Sequence, residues 1–123
     1  MYFSYDDRKA VYYIARGMVC ADGKIREIEL HALTTEMLRI GSSLEELLEF
    51  ENNLKYIKGS DCTSRISKFS DEKKKHFCAL LGAIIIVDGD IDEKEMQLWS
   101  LTSYLCDLPT MSVADALEYM ASL

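Results

Sequence analysis

The sequence is poor in the residues that interrupt helices and form tight turns: it has one proline and six glycines among 123 residues. β-Hairpins and sandwiches need turn residues at short, regular intervals, so helix is favoured. The chain also lacks a basic excess, because 14 Lys and Arg stand against 21 Asp and Glu, for a net charge of −7. Phosphate contacts need clustered cations, so we expect no nucleic-acid partner.

Cysteine and histidine are scarce and poorly spaced for a metal. Four cysteines include no Cys-x-x-Cys pair, and the two histidines are His31 and His76. This set makes a poor zinc site, and no Ser-His-Asp spacing or Gly-rich phosphate loop indicates catalysis. The longest apolar run, from Phe77 to Val87, is shorter than the roughly 20 residues that span a bilayer. No secretion signal is visible, so we expect a cytoplasmic protein that is not an enzyme.

Apolar residues at helical spacing are what the chain does contain. Its 49% hydrophobic and 28% charged residues are ordinary for a globular domain of this length, so we assign residues 1–123 to one domain. The spacing predicts an all-α bundle of about seven helices with short connections. Helix starts are predicted at Ser4, at about Arg26, at a capping box of Ser42 with Glu45, at Ser70, at Asp92, and at Ser112 or Thr110. A short helix that carries Ile66 and Phe69 is predicted before Ser70.

Two segments of the chain match at an offset of 66 residues. Asp22-Gly23-Lys24-Ile25-Arg26-Glu27-Ile28-Glu29-Leu30 aligns with Asp88-Gly89-Asp90-Ile91-Asp92-Glu93-Lys94-Glu95-Met96. Each unit, about residues 11–41 and 77–107, is an apolar helix, an Asp-Gly-x-Ile turn and an amphipathic helix. Neither unit can bury its apolar face alone, so we expect the two to pack around an approximate two-fold axis.

The turn residues suggest local roles. Gly23 and Gly89 can take positive φ and reverse the chain. Ile25 and Ile91 are predicted to plug each turn into the core. The spacing from Asp88 onward copies the second half of an EF-hand loop, but the earlier ligand positions fall on apolar residues. A single turn is therefore not a calcium site of that kind.

At these residues the sequence resembles the TerB-like family, named for the tellurite-resistance protein B. Members are helical bundles with a duplicated Ala-Asp-Gly-x-Ile-x-x-x-Glu motif. The motif appears here as Ala21-Asp22-Gly23-Lys24-Ile25 with Glu29, and as Val87-Asp88-Gly89-Asp90-Ile91 with Glu95. The resemblance covers nearly the whole chain and implies a cytoplasmic module linked to tellurite or chemical stress. Arg26, where the second unit has Asp92, departs from the pattern and places a cation beside the first turn.

The resemblance also implies a divalent metal held by acidic residues. The candidate ligands are Asp22, Glu29, Asp88 and Glu95, with Asp90 and Asp92 as helpers. Hard cations take about six oxygens, so both turns must meet, and Ca²⁺ or Mn²⁺ suits such a site better than Zn²⁺. Alternatively the carboxylates are structural, because acids at a helix start satisfy N–H groups and complement the helix dipole.

Aromatic residues crowd the first part of the chain: Tyr2, Phe3, Tyr5, Tyr12 and Tyr13. They predict either a surface for a protein partner or homodimer, or a cover for the end of the bundle. Two functional hypotheses follow. The first is a TerB-like stress-response module that binds a divalent cation, and the second is a protein-interaction or scaffolding module whose acidic turns are structural.

Overall fold

Seven α-helices and one 3₁₀ turn make up the computed structural model, which describes every residue except Asp22. The helices are α1 Tyr5–Val19, α2 Glu27–Arg39, α3 Leu44–Asn52, α4 Gly59–Ser67, α5 Asp71–Ile86, α6 Glu93–Leu105 and α7 Val113–Ala121, and the 3₁₀ turn is Leu54–Tyr56. The described residues contain no strand. The predicted all-α bundle of about seven helices is confirmed.

Four helices begin at the predicted caps. The side-chain oxygens of Ser4, Ser70, Asp92 and Ser112 each accept a hydrogen bond from the backbone N–H three residues later. Such a bond satisfies one of the N–H groups that a helix start leaves without a partner. These starts therefore depend on local chemistry, which is why the sequence shows them.

The start of α3 differs from the prediction by one residue. Ser43, not Ser42, is the N-cap, and its hydroxyl accepts from the N–H of Glu46. Ser42 instead belongs to the end of α2, where its N–H donates to the carbonyl of Met37 at 3.0 Å. Gly41, with φ of 110°, makes that ending possible, because a left-handed residue after a helix favours glycine.

Helix α5 is the centre of the bundle. It packs against α1, α2, α6 and α7, and most of its residues from His76 to Ile85 are buried. Trp99 on α6 lies against it and donates its indole N–H to the carbonyl of Cys78 at 3.2 Å. A helix that is apolar on all sides needs such complete cover. Among the described residues no helix is long and apolar enough to cross a membrane.

The two repeat units have matching backbones. The second helices of the units, α2 and α6, begin and end at residues that are equivalent at the 66-residue offset. Gly23 and Gly89 take positive φ, 77° and 84°, as predicted. The residues that follow the two helices also match, because Gly41 and Asp107 both have positive φ, 110° and 55°.

The prediction that Ile25 and Ile91 fill the core is wrong. Their side chains are 58% and 57% exposed. Each isoleucine lies in the extended segment just before a helix, and the inward position one turn later is taken by Glu29 or Glu95, each 1% exposed. A carboxylate, not an isoleucine, therefore points inward at each turn.

The aromatic residues near the start of the chain mainly cover the bundle. The ring of Phe3 is buried edge-to-face against Phe69, with 5.8 Å between centroids. The rings of Tyr5 and Tyr12 pack against Phe50 at 5.4 and 5.8 Å. Phe3, Tyr5 and Tyr12 thus pack on the bundle, whereas Tyr2 is 74% exposed.

We expect Gly82→Ala to destabilise the protein, because an added Cβ would lie 2.7 Å from Ala116 Cβ and 2.9 Å from Trp99 Cζ2. Overpacking of this kind costs roughly 1–3 kcal/mol. Gly17→Ala on α1 is the control, since nothing lies within 4 Å of its added Cβ, and it should stabilise by up to about 1 kcal/mol. Urea unfolding measures the stability of both variants, and an equal loss of stability in the two would contradict the close packing at Gly82.

Asp107→Gly should stabilise the protein by about 1 kcal/mol, because a non-glycine residue with φ of 55° carries left-handed strain. The Asp107–Lys74 ion pair that it removes is worth little, since the Asp107 side chain is 84% exposed. Gly41→Ala is the reciprocal change and should lower the free energy of unfolding by a similar amount. Thermal unfolding tests both, and a lower Tm for Asp107→Gly would contradict the strain.

Candidate functional site

The two acidic turns meet around the side chain of Arg26. Its Nη1 atom lies 3.3 Å from Glu29 Oε1, 3.3 Å from Asp88 Oδ2 and 3.5 Å from Glu95 Oε1. Three carboxylates from both repeat units thus surround one cationic nitrogen. We call these four residues the carboxylate–arginine cluster.

The starts of α2 and α6 position the cluster. Glu29 and Glu95 lie in the first turns of these helices, where the positive end of the helix dipole favours a carboxylate. Asp92 is the N-cap of α6 and accepts from the N–H of Glu95 at 3.1 Å. Arg26 holds the equivalent N-cap position of α2 but makes no side-chain cap bond. Its side chain extends to the other unit instead.

The buried carboxyl pair has unusual protonation. Burial, followed by a hydrogen bond with the neighbouring Glu29 and the negative charge of that group, raises the pKa of Glu95 to about 8. Burial also raises the pKa of Glu29, while its hydrogen bond with Glu95 and the charge of Arg26 oppose that rise. At neutral pH the pair therefore holds one proton, placed on Glu95 and donated towards Glu29.

Each of the two glutamates keeps one oxygen that no protein N–H group satisfies. Glu29 Oε2 and Glu95 Oε2 are buried, and neither has a hydrogen-bond partner among the described residues when both groups are carboxylates. A buried carboxylate oxygen without a donor is costly. The shared proton supplies one donor, and a cation bound between the two glutamates is the other way to satisfy these oxygens.

The other predicted ligands divide into three cases. Asp88 joins the cluster through Oδ2, while its Oδ1 accepts from the N–H of Asp90 at 3.0 Å. Asp90 is exposed, and Asp92 uses its carboxylate to cap α6, so neither helper points to the cluster. Asp22 lies outside the described residues. The structure therefore brings together Glu29, Asp88 and Glu95.

A metal centre is not preformed in the part of the chain that the structure describes, where no group of three or more acidic, histidine or cysteine side chains is arranged to hold an ion. The guanidinium of Arg26 lies among the three carboxylates instead. Sequence reasoning predicted only that this residue places a cation beside the first turn. It missed that the arginine reaches across to the second unit, and the only signal was the charge reversal between Arg26 and Asp92.

The cluster differs from the other buried acids that the structure describes, Asp7 and Glu36, in bringing three carboxylates together. Burial also raises the pKa of Glu36, and its Oε2 lacks a partner among the described residues, whereas Asp7 is balanced by bases. Asp7 is bound by both Arg65 and Lys73, at 2.9 and 3.1 Å. Although burial opposes the shift, a hydrogen bond from Ser4 and these two bases hold the pKa of Asp7 below its ordinary value. At the cluster one guanidinium faces three carboxylates. This convergence, together with the raised pKa of Glu95, makes the cluster the candidate functional site.

We expect the contribution of Glu95 to the stability of the protein to fall as pH rises from 4.5 to 8. The folded pKa of Glu95 lies above its ordinary value of 4.5, so the folded state binds the extra proton in this window. The resulting stabilisation is complete below pH 4.5 and is lost as pH rises to about 8. Glu29 and Asp92 strengthen this rise in the pKa of Glu95, whereas Arg26 weakens it, and Asp88 acts instead to raise the pKa of Glu29.

Glu95→Gln should remove this pH dependence, because an amide is neutral throughout. In buffer with EDTA the free energy of unfolding of Glu95→Gln should exceed that of the wild type by on the order of 1–3 kcal/mol at pH 8.5, and the two should differ little at pH 5. Glu93→Gln changes an exposed acid in the same helical turn and serves as the control. Urea unfolding across pH is the measurement, and parallel profiles for wild type and Glu95→Gln would contradict the assignment.

Comparison with known proteins places the chain beside a solved structure. No family model matches it, and no curated protein matches it. It is similar to a protein of unknown function from Porphyromonas gingivalis W83, with 37% identical residues and a TM-score of 0.88. The similarity covers 100% of this chain and 99% of the other. The chain therefore belongs to the same protein family as this protein from Porphyromonas gingivalis.

Proposed function

We propose that the protein is a non-catalytic, TerB-like binding module that takes up a divalent cation, Ca²⁺ or Mn²⁺, between its two acidic turns. The observation that supports this function is the convergence of Glu29, Asp88 and Glu95 from the two units on one point. A chain that only capped its helices with these acids would have no need to direct them at one another across the bundle.

The chemistry of the donors fits a hard cation. Glu29 and Glu95 each offer a buried oxygen without a partner among the described residues, and Asp88 Oδ2 faces the same point. Carboxylate oxygens and water are the ligands of Ca²⁺ and Mn²⁺, whereas Zn²⁺ prefers the cysteine and histidine that this site lacks. A bound dication supplies the positive charge that three carboxylates need. It also ties the start of α2 to the turn before α6.

The resemblance to TerB-like proteins connects this chemistry to a process. It predicts a cytoplasmic module that acts in the response to tellurite or chemical stress. In this proposal the ion changes the stability of the contact between the two repeat units. Ion binding is therefore the protein's response, and no substrate is converted.

A second candidate function is protein interaction, favoured by exposed apolar residues beside the cluster. Ile25 and Ile91 occupy equivalent positions in the two units, and both are exposed, as are Ile28 and Val87. Soluble proteins seldom expose several apolar side chains together without a binding role. The acidic surroundings suit a partner segment with apolar and basic residues. In this alternative the acidic turns only shape the docking face.

Calorimetry on metal-stripped protein tests the cation site. At pH 7 we expect Ca²⁺ or Mn²⁺ to bind in the micromolar range and to release about one proton, because the proton shared by Glu29 and Glu95 must leave. Titrations in buffers of different ionisation enthalpy measure that proton. Glu29→Gln/Glu95→Gln should weaken binding at least tenfold.

Asp90→Asn is the matched control for this experiment, because Asp90 is exposed and lies outside the cluster. It should bind within about twofold of the wild type. No heat with either ion, or equal losses in the control and the double variant, would contradict the cation site. Ile25→Ser/Ile91→Ser would then test the second function, through loss of a self-association or partner complex seen by light scattering.

A further inference from the structure

Arg26 occupies the point at which a cation would have to bind. One atom, Nη1, lies within 3.5 Å of carboxylate oxygens from Glu29, Asp88 and Glu95. A guanidinium and a metal ion are both positive and cannot share this space. The site as folded is therefore filled by a cation that belongs to the chain.

We propose that Arg26 is a built-in competitor for the cation site: a divalent ion binds only after the Arg26 guanidinium has left the three carboxylates. This inference rests on the proposed function, whose site it shares, and it assigns the regulation of that site. Arg26 is thus a residue that sets affinity, while Glu29, Asp88 and Glu95 supply the ligands.

The distances from Arg26 to these three acids are longer than those from Arg8, a structural arginine of the same molecule, to its partner. Arg8 binds both carboxylate oxygens of Glu46, at 2.9 and 2.7 Å, in the paired geometry that holds a guanidinium firmly. Arg26 instead directs one nitrogen at three acids, at 3.3 to 3.5 Å, near or beyond the long end of the hydrogen-bond range. Its side chain is 32% exposed, so a path into solvent is open.

The buried glutamates supply an independent indication of a ligand. Glu29 and Glu95 are each 1% exposed, and when both are carboxylates the Oε2 atom of each has no partner among the described residues. Arg26 therefore contacts the cluster without satisfying it. A dication that used both oxygens of each glutamate together with Asp88 would meet most of the roughly six oxygens that Ca²⁺ or Mn²⁺ requires.

The two units differ in the role of the residue at the start of their second helix. The equivalent residue of the second unit, Asp92, caps its helix, whereas Arg26 makes no side-chain cap bond. The helix start would be served better by an acidic or small polar residue. The arginine therefore contacts the carboxylates in place of making a side-chain cap.

The test compares metal binding by wild type and Arg26→Gln with calorimetry and with the shift in Tm at increasing Ca²⁺ and Mn²⁺. Arg26→Gln should bind the ion at least tenfold tighter, because no guanidinium has to be displaced. Without ion it should unfold at a lower temperature than the wild type, since three carboxylates then lack a cation, and the ion should restore its Tm.

Arg39→Gln is the matched control. Arg39 lies on α2 and pairs with Glu36 of the same helix at 3.5 Å, away from the three carboxylates. It should leave the ion affinity within about twofold of the wild type. If Arg26→Gln is unfolded in EDTA, circular dichroism during ion titration replaces calorimetry. Refolding by millimolar ion then supports the inference, and failure to refold overturns it.

The outcomes separate this inference from the proposed function. Equal affinity in wild type and Arg26→Gln would overturn the competitor role and leave the cation site intact. Binding by Arg26→Gln with none by the wild type would support the competitor role and refute cation binding as the function of the native chain. No binding by either folded protein would overturn both.

Discussion

The pair of glutamates buried between the two repeat units is the constraint on which the site depends. Two carboxyl groups this close in a poorly hydrated place cannot both ionise without a compensating positive charge. The fold meets that requirement with a proton on Glu95 and with the guanidinium of Arg26. The proton can be lost as pH rises, and the guanidinium can leave by rotation of the partly exposed Arg26 side chain. A structural role alone gives no reason to bury two acids where one neutral residue would pack.

Duplication explains how such a site arises. Each unit supplies the same turn and the same inward glutamate, so packing the units brings equivalent carboxylates together. The differences between the units are then informative. The first unit has Arg26 where the second has Asp92, which changes the charge at the cluster. The first unit has Gly41 where the second has Asp107, so the left-handed backbone is strained in the second unit. The first difference affects what the site can bind, and the second affects stability.

Much of the fold could be predicted from the sequence because its signals are local. Ser4, Ser70 and Asp92 cap the helices that they were predicted to open, since a cap needs only the next three residues. The helix cap predicted at Ser42 is one residue too early, because the N–H of Ser42 is hydrogen-bonded at the end of α2 and a cap pattern does not reveal such a bond. Burial was harder. Ile25 looked like a core residue by type, but the direction of the extended segment before α2 places it outside.

The metal hypothesis required Glu29, Asp88 and Glu95 to lie close together, but the sequence itself could not show that they do. Arg26 bridges 62 residues of sequence to Asp88, and no periodicity or motif specifies such a contact. The direct measurement of the central claim is a crystal soaked in Mn²⁺ and examined by anomalous scattering. The account predicts a peak between Glu29 and Glu95, with Arg26 turned away. Arg26 in place with no peak at the carboxylates would contradict it.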